Sequence, residues 1–201
     1  MGPEVENVEL ISFHSVSKGM VGECGKRGGY MECVGLHPET LDQLYKAASI
    51  SLCPNILGQV MVDLMVEPPV AGDPSYALYH AELNGIYESL RRRASQLVAT
   101  FNSMEGVSCQ DAVGSMYAFP SITLPPAAVA AAEAAGKAPD VFYCLQLLDA
   151  TGVCVVPGSG FGQKSGTWHF RCTFLPPESF FDEFLADIKR FHQSFLAKYS
   201  S

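Results

Sequence analysis

FHSVSKGMVGECGKRGGY, from Phe13 to Tyr30, sets Lys18 behind two serines and ahead of a glycine-rich tail that carries Arg27. The residues leading into it, Val8 to Ser15, alternate loosely and include Val, Leu, Ile and Phe. They read as a buried strand whose C-terminal end, at Ser15, delivers Lys18. Gly19, Gly22, Gly25, Gly28 and Gly29 follow. Each glycine costs a helix about 1 kcal/mol relative to alanine, so this segment is a loop. A short strand from Tyr30 to Val34 closes it.

An amine at the end of a buried strand, with hydroxyls before it and a flexible backbone and a guanidinium after it, has the parts to hold a phosphorylated aldehyde. The amine bonds the aldehyde carbon, while Ser15, Ser17, Arg27 and loop amides meet the phosphate. Pyridoxal phosphate is a molecule of this kind. SxSK alone also fits a solvated loop lysine, since most lysines lie at the surface. Ser15-Val16-Ser17-Lys18 is SxxK as well, with Lys164-Ser165-Gly166 downstream, as in serine β-lactamases and penicillin-binding proteins. There SxxK opens a helix, which the glycines after Lys18 forbid, and the intervening SDN is missing.

The 201 residues are 48% hydrophobic and 17% charged, enough for a core in one large domain or two small ones. The net charge of −8, with no like-charge block longer than Arg91-Arg92-Arg93, lacks the footprint of a nucleic-acid binder and favours small-molecule or protein partners. Seven cysteines without CxxC pairs fit reduced thiols inside a cell, and no metal is expected. MGPEVENVEL has neither the basic start nor the apolar run of a signal peptide, and no window is apolar enough to span a bilayer. Pro3 and the lack of a Ser or Thr at the sixth position argue against myristoylation.

Pro38 begins a helix to about Ser49, and a second is expected from Gln59 to Met65 after the LCPNILG turn. Asp73-Pro74-Ser75 opens a long helix to about Met104, with Tyr76, Leu83, Ile86, Leu90, Leu97, Val98 and Phe101 at helical spacing. A helix of this length bridges two lobes. Beyond it an α+β pattern is expected. Its strands are Met116 to Ile122, Cys154 to Val156 and His169 to Leu175; its helices are Ala127 to Ala135, Pro139 to Ala150 and Glu178 to Lys198. Tyr117 and Phe119 alternate on a strand and read as core. Pro157-Gly158-Ser159-Gly160-Phe161-Gly162 is too glycine-rich for a dinucleotide fingerprint and reads as a tight loop at the active site, lined by Phe161.

SVSKG, GECGKRGGY, LCPNILGQ, GSMYAFP, CVVPGSGFG and HFRCTFLPP stand in this order along the chain. Together they resemble the C-terminal part of the alanine-aminotransferase branch of the fold type I, or aspartate-aminotransferase, superfamily. The resemblance implies an α/β fold: the end of the large cofactor-binding domain over 1–73, a linking helix over 74–104 and a small α+β domain over 105–201. The implied cofactor is pyridoxal 5′-phosphate. Lys18 resembles the lysine that carries it, Arg27 the arginine that pairs with its phosphate, and Ser15 and Ser17 the hydroxyl partners. Arg171, in HFRCT, resembles the arginine that takes the substrate's α-carboxylate. The alternative is a surface arginine on an edge strand, but its aromatic and β-branched neighbours favour an arginine that needs a carboxylate partner.

The implied reaction exchanges alanine and 2-oxoglutarate for pyruvate and glutamate, in a cytoplasmic or mitochondrial homodimer. Gln59 would reach the site, from its own subunit or across the dimer interface; His14 and His169 would be packing or supporting groups. The remaining cofactor contacts are expected upstream of Met1, so the chain alone is expected to be inactive. Two other readings stay open. One is a different fold type I enzyme, a carbon–sulfur lyase or ring-closing synthase, using the same Lys18, Arg27 and Arg171. The other is a dimerising module without catalysis.

Overall fold

The computed structural model describes residues 8–18 and 21–200. Gly19 of the glycine run, and Glu4 and Glu6 near the start, lie outside the described residues. Two compact units meet in sequence between Leu83 and Asn84.

In the first unit, β1 (Leu10–Ser15) pairs antiparallel with β2 (Gly29–Val34), from Leu10 opposite Val34 to Ser15 opposite Gly29. The intervening glycine loop includes one 3₁₀ turn, Cys24–Lys26. Two helices follow, α1 (Pro38–Ser49) and α2 (Ile56–Val66). The expectation of a buried strand at Val8 to Ser15 is corrected here: Phe13 is 77% exposed and Leu10 is exposed too. The physical reason is that β1 belongs to a sheet of two described strands, β1 and β2. The apolar residues along α2, Ile56, Leu57, Val60 and Leu64, are likewise exposed. Helix α2 begins three residues earlier than expected because Asn55 caps it, accepting the Gly58 N–H at 2.7 Å.

Helix α3 (Tyr76–Asn102) crosses the boundary. Within the second unit it buries Arg93, Ala94, Leu97, Val98 and Phe101, one stripe at helical spacing. The triple arginine is absorbed by structure. Arg91 pairs with Glu88 at 3.2 Å and Arg92 with Glu178 at 2.9 Å, while Arg93 donates to the Pro176 carbonyl at 2.8 Å.

The sheet of this unit is organised around β7 (Trp168–Thr173). Along one edge run β4 (Tyr117–Ala118) and β5 (Ser121–Ile122), both antiparallel and in one continuous register. They are the expected strand from Met116 to Ile122, interrupted where Pro120 has no N–H to give. On the other edge β6 (Val156–Pro157) pairs with Arg171 and Phe170. A short β3 (Val107–Ser108), not foreseen, extends the sheet from β5.

Phe170, Cys172 and Phe174 point into a core shared with Phe101, Tyr143, Leu147 and the apolar face of α6 (Glu178–Tyr199). Two more helices, α4 (Pro126–Ala134) and α5 (Pro139–Thr151), complete the layer. Burial pushes the Cys172 thiol up to about 12 and the Cys144 thiol likewise, so both stay neutral. No described helix is long and apolar enough to cross a membrane.

One polar pair lies inside this core. His192, almost fully buried on α6, gives its Nε2–H to the Glu105 carbonyl at 2.8 Å and accepts the Tyr143 hydroxyl on Nδ1 at 3.0 Å. The carbonyl can only accept, which fixes this tautomer. Burial holds the ring's pKa below its ordinary 6.5. The unfolded chain therefore binds a proton more readily than the folded one, and stability falls as pH drops below 6.5, levelling off once the folded-state value is passed. Urea midpoints measured at intervals from about pH 8 down to pH 5 should show this decline, and His192→Gln should flatten it.

Candidate active site

The Lys18 side of the site is built by the turn after β1. Val16, completely buried, ties the turn on both sides, donating to the Gly28 carbonyl at 3.1 Å and accepting the Glu23 N–H at 2.9 Å. The Ser15 hydroxyl accepts the Ser17 N–H at 3.1 Å and donates weakly to the Gly28 carbonyl at 3.4 Å. Ser15 thus braces the turn that presents Ser17 and Lys18. His14 accepts the Ser15 N–H on Nδ1 and stacks on Tyr30, the two ring centres 5.7 Å apart. Lys18 lines an open cleft with Phe13, Ser15, Gly29 and Tyr30.

Arg27 ends the 3₁₀ turn with φ 55°, in the left-handed region, and its Nη1 donates to the Cys24 carbonyl at 3.1 Å. Asn55 holds this corner from α2: its Nδ2 donates to the carbonyls of Lys26 and Arg27 at 3.3 and 3.2 Å, while its oxygen caps the helix. Sequence reasoning missed Asn55, although an asparagine after proline at a helix start is a visible signal.

Arg27, Gly28, Gly58 and Gln59 line a second cleft of about 410 Å³. Gly29 borders both clefts. The Gln59 amide donates to the Pro54 carbonyl at 2.9 Å.

Gly28 permits the Arg27 corner to approach α2. A Cβ on it would sit 2.5 Å from the Gly58 carbonyl oxygen, a backbone atom that cannot turn aside. Gly28→Ala should therefore push the Arg27 corner away from α2 at a cost of about 1–3 kcal/mol. The expected readout is weaker retention of a phosphorylated cofactor on dialysis. Unchanged retention would mean the corner is irrelevant to it.

The donor set suits a phosphorylated aldehyde. One amine and one guanidinium line the two clefts, and the glycine-rich loop backbone runs between them. Asp63 and Glu67 of α2 line the Arg27 cleft as well.

Arg171 belongs to the second unit. Strand alternation turns it, with His169 and Thr173, to the face of β7 opposite the core. Tyr117 and Phe119, expected in the core, are corrected here: Met116, Ala118, Pro120 and Ile122 are the buried residues of that strand, and Tyr117 and Phe119 share the face of Arg171. The Arg171 guanidinium carbon lies 4.6 Å from the ring centre of Tyr117 and 4.9 Å from that of Phe161.

Among the described residues, no carboxylate is within ion-pair distance of Arg171. A fork held by ring faces keeps its N–H edges for a planar acid. Phe161 rides on the Gly158–Phe161 3₁₀ turn and packs edge-on against Phe119, which stacks on His169 at 5.0 Å.

Residues 2–188 match the family described as aminotransferase class I and II. The chain is 59% identical over 199 residues to a probable mitochondrial alanine aminotransferase of Dictyostelium discoideum, covering 99% of this chain and 37% of that protein. It is 52% identical over 198 residues to glutamate–glyoxylate aminotransferase 2 of Arabidopsis thaliana, covering 98% of this chain and 41% of the relative. Its fold is similar to that of alanine aminotransferase from Pyrococcus furiosus, with a TM-score of 0.74, 26% identity, and coverage of 94% of this chain and 43% of the other. The chain thus spans about two fifths of the length of these proteins.

Proposed function

Because the chain belongs to the aminotransferase class I and II family, we propose that its residues serve the transamination of L-alanine with 2-oxoglutarate to pyruvate and L-glutamate. The family's cofactor is pyridoxal 5′-phosphate. The observation that carries the reading is that the clefts lined by Lys18 and by Arg27 share Gly29, with the amine and the guanidinium on the one loop that joins β1 to β2.

When bound, the cofactor draws electrons from the substrate Cα and carries the amino group from one acid to the next. Lys18 holds it through Nζ, Arg27 pairs with its phosphate, and Ser15 and Ser17 shape and supplement that corner. Once the substrate's amine has displaced it, the freed Lys18 Nζ would take the proton from the amino acid's Cα and return one in the second half of the reaction. Arg171 donates two N–H groups to the α-carboxylate of each substrate, and so fixes which Cα bond is presented for cleavage. Residues 1–73 form the end of the cofactor-binding domain, 74–104 the linking helix and 105–201 the small domain of a homodimer, in cytoplasm or mitochondrion.

A second acceptor has a specific basis, the 52% identity to a glutamate–glyoxylate aminotransferase. The test is product analysis with the full-length enzyme. Alanine and 2-oxoglutarate should yield pyruvate and glutamate in equal amounts, and faster than alanine with glyoxylate yields glycine. Release of ammonia without glutamate would instead mark a lyase, and no pyruvate at all would defeat the reading.

A further inference from the structure

Asp140 lies in the first turn of α5 with no exposed surface. Its carboxylate is fully engaged. Oδ1 accepts the Val141 N–H at 3.0 Å; Oδ2 accepts the Ser159 N–H at 2.6 Å and the Gln163 amide at 3.0 Å. The helix N-terminus adds a favourable field. Charge-assisted bonds of this kind are short and strong, and they join the start of α5 to the loop 157–163.

The chain of bonds has a direction. A carboxylate can only accept, so Gln163 turns its NH₂ to Asp140 and its oxygen to His169 Nδ1, 3.0 Å away. The ring proton of His169 is thereby placed on Nδ1. Gly158 shows how tightly the parts fit, since a Cβ there would stand 2.3 Å from the Gln163 oxygen and 2.7 Å from the His169 Cβ.

Both ends of this network terminate at the Arg171 site. His169 is the ring on which Phe119 stacks, and Ser159 is in the same turn as Phe161, whose ring faces the guanidinium. We propose that Asp140, acting through Gln163 and the Ser159 amide, is a positioning residue that sets the aromatic holder of Arg171 and thereby the affinity for substrate carboxylates. This rests on the reading of Arg171 as the carboxylate site. A buried charge kept only for folding needs no relay to His169. Here the relay ends on the ring stack beside the guanidinium, and loosening it lets Phe161 and Phe119 drift, so that the fork is no longer aimed.

The test uses the full-length enzyme with Gln163→Leu, Asp140→Asn and Asp140→Ala. Gln163 is half-buried, and its replacement leaves Asp140 bonded to the Ser159 and Val141 amides, so this variant probes the relay without emptying a core site. Gln163→Leu and Asp140→Ala should raise KM for alanine and 2-oxoglutarate together by about tenfold. Turnover per cofactor-loaded site should stay within about twofold, and Asp140→Asn should recover most of the loss. In an Arg171→Ala background the Gln163→Leu effect on KM should vanish, because there is no fork left to aim. Variants that lower the melting temperature while KM for both acids stays at the wild-type value would overturn the proposal and leave the transaminase reading standing. Wild-type enzyme that makes no pyruvate from alanine would remove that reading and the proposal with it.

Discussion

Lys18→Ala should lower turnover of alanine by at least about 10²–10⁴-fold, the usual loss on removing a positioned acid–base group. It should also leave no cofactor that borohydride can fix to the chain. Both losses follow from one amine, which bonds the cofactor and moves the Cα proton. The other lysines near glycine-rich loops are poorly placed for this. Lys26 sits within the 3₁₀ turn, its carbonyl held by Asn55, and Lys164 is exposed on the loop before β7. An enzyme that kept wild-type turnover without Lys18 would remove the mechanism.

Arg171→Ala should raise KM for alanine and for 2-oxoglutarate together while the cofactor stays bound. The expected loss in kcat/KM is on the order of 2–5 kcal/mol, as for one member of a desolvated charge pair. Arg171→Lys should recover little, because an ammonium keeps the charge but not the two-pronged geometry, and the ring faces of Tyr117 and Phe161 are matched to a flat cation. Arg27→Ala should fail in the opposite way, releasing cofactor on dialysis while the variant, resaturated with cofactor, keeps its KM for both acids. If Arg171→Ala left both substrate constants unchanged, its assignment would be withdrawn.

Much of the secondary structure was legible because its signals are local. Prolines at the first turn and an amphipathic period locate α1 at Pro38–Ser49 and place α5 and α6 to within a residue at each end. Burial was less legible. Val8 to Ser15 carries core-like residues, but what covers a strand is decided by other segments, and among the described strands β1 pairs with β2 alone.

Alternation at Met116 to Pro120 defines two faces without saying which is inward. The answer lay on the neighbouring strand, where Phe170, Cys172 and Phe174 turn to the core and carry Met116 and Ala118 with them. Lys18, Arg27 and Arg171 could be singled out because each stands in a short distinctive stretch. Asp140 could not. Next to Pro139 it reads as an ordinary helix-opening acid, and its bonds to Ser159 and Gln163 span 19 and 23 residues.

The most direct test of the central claim is to reduce the cofactor-loaded full-length enzyme with borohydride, digest it, and locate the pyridoxyl group by mass spectrometry. The account predicts a single modified residue, Lys18, in a peptide running on through Gly19 with cleavage at Lys18 blocked. A pyridoxyl group on Lys26, on Lys164 or on a lysine outside this chain would contradict it.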